Sequence, residues 1–383
     1  MTGPALRILV VETKLEGHHA FYLRLVLEAL REAHWEVHLA LPAEAEFAGR
    51  FARESGVRMA GISLVPLPSG RAAVVRALAQ AAQSLKPDLV FFNDFDFVAS
   101  SWCRRAAVGW MPPAVLRGKI CGFYVRPRFL EPQTRGWSVF WKRRGFFRMA
   151  ESGWFKRLFV LDEYLAASLS NGPSHEIFQW TPDPWSGKWT SAATDARKRL
   201  ELPQDRPIVL HFGTGSPRKG LPRVVDAMKS LSPEQRPFLI CAGRLNLEPD
   251  LAKRLQKLAE EGSARVWDRF VEESERELLF AAVDLVLLAY EGHYGSSGVL
   301  ANAAAANKPV VATDAGLVGR RVRQWHLGAT FPPEDTAALA KWLTECAEGK
   351  PPSAEGTRKF AEAHAPDVFK RNLLGGLKSA LKK

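Results

Sequence analysis

The chain has little of what would mark it as secreted, metal-stapled or membrane-spanning. Its four cysteines, Cys103, Cys121, Cys241 and Cys346, are scattered through 383 residues with no pair at metal-ligand spacing. That excludes a disulfide scaffold and a zinc-ribbon class, and the four read as reduced cytosolic thiols. No apolar run is long enough to span a bilayer. The richest windows, "DLVFFNDFDFV" and "FAAVDLVLLAY", are short and carry aspartates. The opening "MTGPALRILVVE" holds only a brief apolar run bounded by charge, so no signal peptide is read there. The expected location is cytoplasmic, or peripheral to the inner face of the membrane.

Acidic residues are also in deficit, leaving a net charge of +12 that points to an acidic partner. The excess is local. Residues 125–157 carry nine Lys/Arg, Arg126 among them, against the two acids Glu131 and Glu151. Trp137, Phe140 and Trp141 stand between them at i, i+3, i+4 spacing, which puts an aromatic face beside a cationic one on a helix. That pattern predicts an anionic membrane surface as a partner of residues 125–157, set against the plainer reading of a core stripe with a basic edge. No nucleic-acid-binding signature accompanies the patch, so nucleic acid is not expected.

Hydrophobic content of 46% with 25% charge is that of a soluble globular chain, and the length predicts two domains. Short apolar runs alternate with amphipathic helical patterns. "LRILVVE", "WEVHLALP", "PDLVFFN" and "KRLFVLD" read as strands of a first series. "PIVLHFG", "PFLICAG", "ARVWDRF", "VDLVLLAY", "PVVATDAG" and "GATF" form a second. This β-α-β alternation predicts an α/β fold of two Rossmann-like domains facing each other across a cleft. The Pro-, Ser- and Thr-rich stretch 179–206 reads as the interdomain linker. The predicted boundaries are 1–190 for the first domain, 191–365 for the second, and 366–383 for a closing basic helix.

Three glycine-bearing loops follow predicted strands, where a ligand would sit. They are "KLEGHH" (14–19), "HFGTGSPRKG" (211–220) and "GHYGSSG" (292–298). The second is not a P-loop, because Lys219 is followed by Gly220 rather than Ser or Thr. In the third, Ser296 or Ser297 is placed to cap a helix starting near Gly298. Its dipole and unpaired N–H groups would favour a phosphate, and Gly298 would let that phosphate close. Lys219, carried by the loop at Gly213, supplies a cation for the same diphosphate. Asp94 and Asp96 of "FNDFDF" end a strand, where they would bind ligand hydroxyls or cap a helix.

These loops resemble those of a GT-B glycosyltransferase, most closely the large retaining family that includes glycogen synthases and bacterial mannosyltransferases. "EGHHAFYLRLVLEAL" matches the family's first strand-helix turn, and "GTGSPRKGLPRVVDA" matches its G-R-x4-K-G-x6-A block. "YGSSGVLANAAAANKPVVA" matches its E-G-F-G-x4-E-A-x-A-x-G-x-P-V-V-A block over the central part. The resemblance implies a GT-B fold, a nucleotide-sugar donor in the carboxyl-terminal half, a glycan or lipid-linked acceptor in the other, and a terminal helix crossing back to the first domain. It implies retention of configuration, with no cofactor and no metal.

Carried over residue by residue, the resemblance gives donor contacts to Gly17, Gly213, Thr214, Arg218, Lys219, Glu291, Ser296, Ser297, Gly298 and Asn302. The catalytic set is Lys219, Tyr294 and His18, with His19 as the neighbouring option; Asp94, Asp96 and Arg126 face the acceptor. Two departures are central. The family's Glu-x7-Glu pair falls on Tyr294 and Asn302, and its donor-binding Arg falls on Thr214. With no carboxylate pair, the alternative is a non-catalytic GT-B nucleotide- or glycan-binding protein.

Overall fold

The structure, a computed structural model, describes residues 6–14, 19–44, 47, 49, 51–52, 59–169 and 175–382. Expectations that fall on Gly17 and His18 therefore lie outside the described residues. The chain divides into two units: residues 1–182 with 366–383, and residues 183–365. The division falls inside the 179–206 stretch, which is not a bare linker. It holds a strand at Phe178–Trp180, a helix at Ala193–Arg199, and buried Thr181, Asp183 and Ser186.

Unit 1 contains β1 (Arg7–Val11), β2 (Glu36–Pro42), β3 (Ser63–Leu67) and β4 (Leu89–Phe92). It continues with β5 (Ile120–Phe123), β6 (Phe155–Val160) and β7 (Phe178–Trp180). Among the described residues these form one parallel sheet of order β3-β2-β1-β4-β5-β6-β7. Side chains alternate along each strand, so Leu9, Val11, Val90 and Phe92 enter one core while Ile8, Val10, Leu89 and Phe91 enter the other. Both faces are buried beneath helices, which is why the strands read as unbroken apolar runs.

The terminal helix Pro366–Leu381 closes one of these faces. Phe369 lies 5.4 Å from Tyr22 and 5.2 Å from Phe123, ring centre to ring centre. Lys370 pairs with Glu32 at 2.8 Å. A side chain at Gly376 would come within 2.6 Å of the Phe159 ring, so glycine sets the close approach there.

Unit 2 contains β8 (Ile208–Phe212), β9 (Phe238–Gly243) and β10 (Ala264–Asp268). Then follow β11 (Leu285–Leu288), β12 (Val310–Thr313) and β13 (Gly328–Phe331). The sheet order is β10-β9-β8-β11-β12-β13, again parallel. Leu210, Ile240 and Val286 face one core, Val209, Leu239 and Leu287 the other. The entering segment packs within this unit: Trp185 donates from its indole Nε1 to Ala361 O at 2.8 Å. In each sheet the strand order reverses once, between β1 and β4 and between β8 and β11. Such a switch point leaves a crevice at the carboxyl ends of the strands.

The basic aromatic segment splits in two. The helix Trp137–Glu151 buries Phe146, Met149 and Ala150 against the core, while Trp137, Phe140 and Trp141 are 81%, 55% and 38% exposed. Arg144 and Arg148 are exposed on the same side of the helix. Arg143 differs: its guanidinium donates to the Phe129 and Glu131 carbonyls, each at 2.9 Å. No helix among the described residues is long and apolar enough to cross a membrane.

Candidate active site

In unit 2 the loop after β8 carries Gly213, Thr214 and Lys219. It is held from beneath by His211, whose Nε2 lies 3.1 Å from Thr214 O. Burial, with some help from the Lys219 charge, lowers the His211 pKa to about 4, so this ring is neutral and donates to the carbonyl. The Thr214 hydroxyl pairs with Ser216 Oγ at 3.0 Å. The loop closes on Gly220, whose φ of 73° is left-handed. A Cβ there would lie 1.7 Å from Ala289 O, so only glycine lets this loop press against the end of β11. That contact brings Lys219 to the switch point.

Lys219 Nζ sits 4.0 Å from the centre of the Tyr290 ring. The Tyr290 hydroxyl in turn lies 3.0 Å from Ser297 Oγ. One buried tyrosine thus places the cation of the first loop beside the start of the helix Gly298–Ala305 opened by the second. Ser297 occupies the N-cap position, as its residue type predicts, but its side chain makes no cap hydrogen bond. Its hydroxyl is committed to Tyr290 and that of Ser296 to Arg321 Nη1 at 2.5 Å, so the expected serine cap is absent. Neither serine side chain therefore caps the first-turn N–H groups. A Cβ at Gly295 would meet nothing within 4 Å, and one at Gly298 only Asp183 Oδ1 at 4.0 Å, so this approach is open.

The remaining residues expected on the donor side are placed as follows. Asn302 is buried four residues along the helix, and its side-chain Oδ1 accepts the Ser186 N–H at 3.0 Å. Glu291 is ion-paired with Arg223 at 2.8 Å, a partner that sequence reading missed. Arg218 donates to His293 Nδ1 at 2.8 Å. Tyr294 is 43% exposed.

Unit 1 has its own charged cluster at the β1–β4 switch point. Glu12, fully buried just beyond β1, accepts the N–H groups of Thr13 at 2.7 Å and Lys14 at 2.9 Å. It also accepts Asn93 Nδ2 at 2.5 Å and His19 Nδ1 at 3.1 Å. Burial opposes protonation of His19, but the hydrogen bond and charge of Glu12, with the charge of Asp94, outweigh it and raise its pKa. His19 Nε2 then lies 4.0 Å from Asp94 Oδ2.

Asp94 therefore stands beside the imidazole, whereas Asp96 does not reach outward. Its carboxylate accepts Val125 N–H at 2.8 Å and Arg126 N–H at 3.1 Å, tying the turn after β5. Burial and the nearby Asp94 charge push its pKa up to about 6. Arg126 contributes its backbone to this turn. Glu12 and Asn93 went unnoticed in the sequence. Their signal was available: both are polar residues directly following apolar strands that flank the switch point.

Comparisons with known proteins decide the class. Residues 193–364, nearly the whole of unit 2, match the family model described as glycosyl transferases group 1. Residues 193–364 are a group 1 glycosyltransferase domain. The chain is thus a glycosyltransferase, as the motif resemblance implied. No match is found among curated proteins. A Rickettsia africae glycosyltransferase is 13% identical with a TM-score of 0.70, covering 99% of both chains. Anabaena HepE in complex with UDP and glucose is 18% identical with a TM-score of 0.69, covering 98% of this chain and 100% of the other. Sucrose-phosphate synthase from Thermosynechococcus elongatus is 16% identical with a TM-score of 0.69, covering 98% and 99%. At these identities the likeness establishes the fold, and that fold is GT-B.

Proposed function

We propose that this glycosyltransferase moves a sugar from a nucleoside-diphosphate donor held by unit 2 to a hydroxyl of a glycan or lipid-linked acceptor, with retention and without a metal. The observation that carries the reading is the bridge through Tyr290. Lys219 lies over its ring and Ser297, at the head of the helix Gly298–Ala305, bonds its hydroxyl. When the glycosidic bond breaks, negative charge builds on the departing diphosphate. A lysine ammonium and the N–H groups and dipole of a helix N-terminus stabilise that charge without reorganising. Each charge-assisted hydrogen bond contributes roughly 1.5–3 kcal/mol.

On the acceptor side, we assign the hydroxyl to the gap between His19 Nε2 and Asp94 Oδ2. At 4.0 Å, that gap lets one oxygen bond both groups. Glu12 fixes the ring by accepting the hydrogen bond of its Nδ1–H. The exposed Trp137, Phe140 and Trp141 beside Arg144 and Arg148 support docking on an anionic bilayer. Aromatic rings settle at headgroup depth and guanidinium groups meet lipid phosphate. A membrane-associated acceptor would be reached from there.

Thermal-shift and calorimetric titration with UDP, GDP and ADP, each beside its nucleoside, tests the donor reading. UDP is the first probe because HepE is found with it. One diphosphate binding well above its nucleoside is the expected result. No binding by any of the three would remove the proposal.

A further inference from the structure

His293 lies in the turn between β11 and the helix Gly298–Ala305, and no contact to substrate is assigned to it above. Its Nδ1 is 2.8 Å from Arg218 Nη1 and its Nε2 is 3.1 Å from Ser296 O. A guanidinium only donates, so Nδ1 must accept. The ring proton then sits on Nε2 and is donated to the Ser296 carbonyl. Both neighbours agree on one neutral tautomer, and the ring joins two loops from different strands.

We propose that His293 is the positioning residue of the diphosphate cradle, holding both the cationic loop and the serine turn in their ligand-receiving geometry. This rests on the donor reading above and names the residue that sets its phosphate specificity. Towards the first loop, His293 anchors the Arg218 guanidinium. Arg218 is the residue before Lys219, and its carbonyl accepts the Glu291 N–H at 3.1 Å. The cationic loop is thus fastened to the segment after β11 at both backbone and side chain. Towards the second loop, the bond to Ser296 O sets a peptide plane. In a trans peptide the carbonyl and the following N–H point in opposite directions. Drawing the Ser296 carbonyl onto His293 therefore turns the Ser297 N–H away from the ring and fixes it.

Two further contacts hold the imidazole itself. It meets the Tyr290 ring edge-on, with centres 4.8 Å apart, and Tyr290 is the residue that carries Lys219. Gly316, at a φ of 65°, opens the next helix so close that a Cβ would stand 2.6 Å from His293 O. The loops after β8, β11 and β12 all converge on this residue. Beyond it, Arg321 reaches Ser296 Oγ, so two guanidinium groups flank one serine turn through neutral intermediaries. A dianionic diphosphate is the ligand such a frame suits, and a neutral nucleoside gains nothing from it.

The test separates the two hydrogen bonds. His293→Phe keeps a ring against Tyr290 and removes both. His293→Asn keeps an acceptor for Arg218, and His293→Gln keeps a donor for Ser296 O. Binding of UDP, GDP and ADP and of uridine, guanosine and adenosine is measured by calorimetry, with melting temperature alongside. The Phe variant is expected to lose roughly tenfold or more in affinity for the diphosphate that binds wild type, and little for its nucleoside. Asn or Gln is expected to restore part of the loss. Wild-type diphosphate affinity in the Phe variant, or an equal loss for nucleoside and diphosphate, overturns the proposal. Should the Phe variant fail to fold, the Asn and Gln variants decide: diphosphate-selective weakening in either supports it, and wild-type affinity in both refutes it. If the wild type binds no diphosphate, the donor reading falls and the proposal falls with it. Wild-type binding with unaffected variants refutes the proposal alone.

Discussion

Adding one methyl group at Gly298 separates binding from stability more cleanly than any other change in the site. Gly298 is the first residue of its helix, and a Cβ there meets only Asp183 Oδ1, at 4.0 Å. The methyl group of Gly298→Ala enters open space, so the folded state carries no clash. Replacing glycine by alanine within a helix usually stabilises it by about 0.5–1 kcal/mol. For a domain of this size that is a rise of about 1–4 °C in Tm. On the donor reading, the same methyl group stands where a phosphate approaches the first-turn N–H groups. Losing one charge-assisted hydrogen bond costs roughly 1.5–3 kcal/mol, a roughly ten- to 150-fold loss of affinity. Gly298→Val should do more harm to binding. Ser297→Ala is the comparator: it removes the bond to Tyr290, costs about 1 kcal/mol of stability, and leaves most diphosphate affinity in place. Calorimetry with the bound diphosphate and thermal melts of all three variants make the comparison. If Gly298→Ala melts at or above the wild-type temperature and binds diphosphate as well as wild type, the cradle does not lie at this helix.

Lys219→Ala should weaken diphosphate binding by roughly ten- to 150-fold and nucleoside binding hardly at all; equal losses by calorimetry would mean that the lysine only packs on Tyr290. The protein should sediment with phosphatidylserine vesicles and release as salt rises, and Arg144→Glu with Arg148→Glu should abolish this without lowering Tm; Arg143 is left intact because it ties backbone carbonyls. Acidification should affect the two units in opposite directions. His211, at about 4, and His364, at about 3, are depressed mainly by burial, so the stability they contribute is present above the ordinary histidine pKa of about 6.5 and is lost as pH falls towards those values. Asp96, raised to about 6, binds its proton more readily when folded, and His19 does likewise, so unit 1 gains stability as pH drops through 6. Hydrogen exchange at pH 7 and pH 5 should therefore show unit 2 opening more readily relative to unit 1, and parallel changes in both would contradict the assignment.

The sheets were legible because parallel strands buried on both faces have to be apolar at every position, and runs such as "LRILVVE" and "VDLVLLAY" are. Even the short "GATF" forms β13 at the sheet edge. The glycine-bearing loops at the switch point were legible from glycine and lysine placed directly after strands. Side-chain commitments were not, because they depend on partners far along the chain. Ser297 has the residue type and position of a cap, yet Tyr290 takes its hydroxyl. Glu291 carries the right charge, but Arg223, 68 residues away, holds it. Asp94 and Asp96 are alike in sequence and differ in environment, because only Asp96 faces the Val125 and Arg126 amides. The aromatic face at Trp137, Phe140 and Trp141 followed the helical spacing. The inward turn at Phe146 did not stand out, since aromatic residues continue through both halves.

The most direct measurement is release of nucleoside diphosphate from UDP-, GDP- and ADP-sugars by the wild-type protein, in excess EDTA and with an acceptor-bearing lipid extract added. The account predicts turnover with the sugars of one base, undiminished by the chelator and reduced at least tenfold by Lys219→Ala. Turnover that requires added divalent metal, or survives Lys219→Ala unchanged, would contradict it.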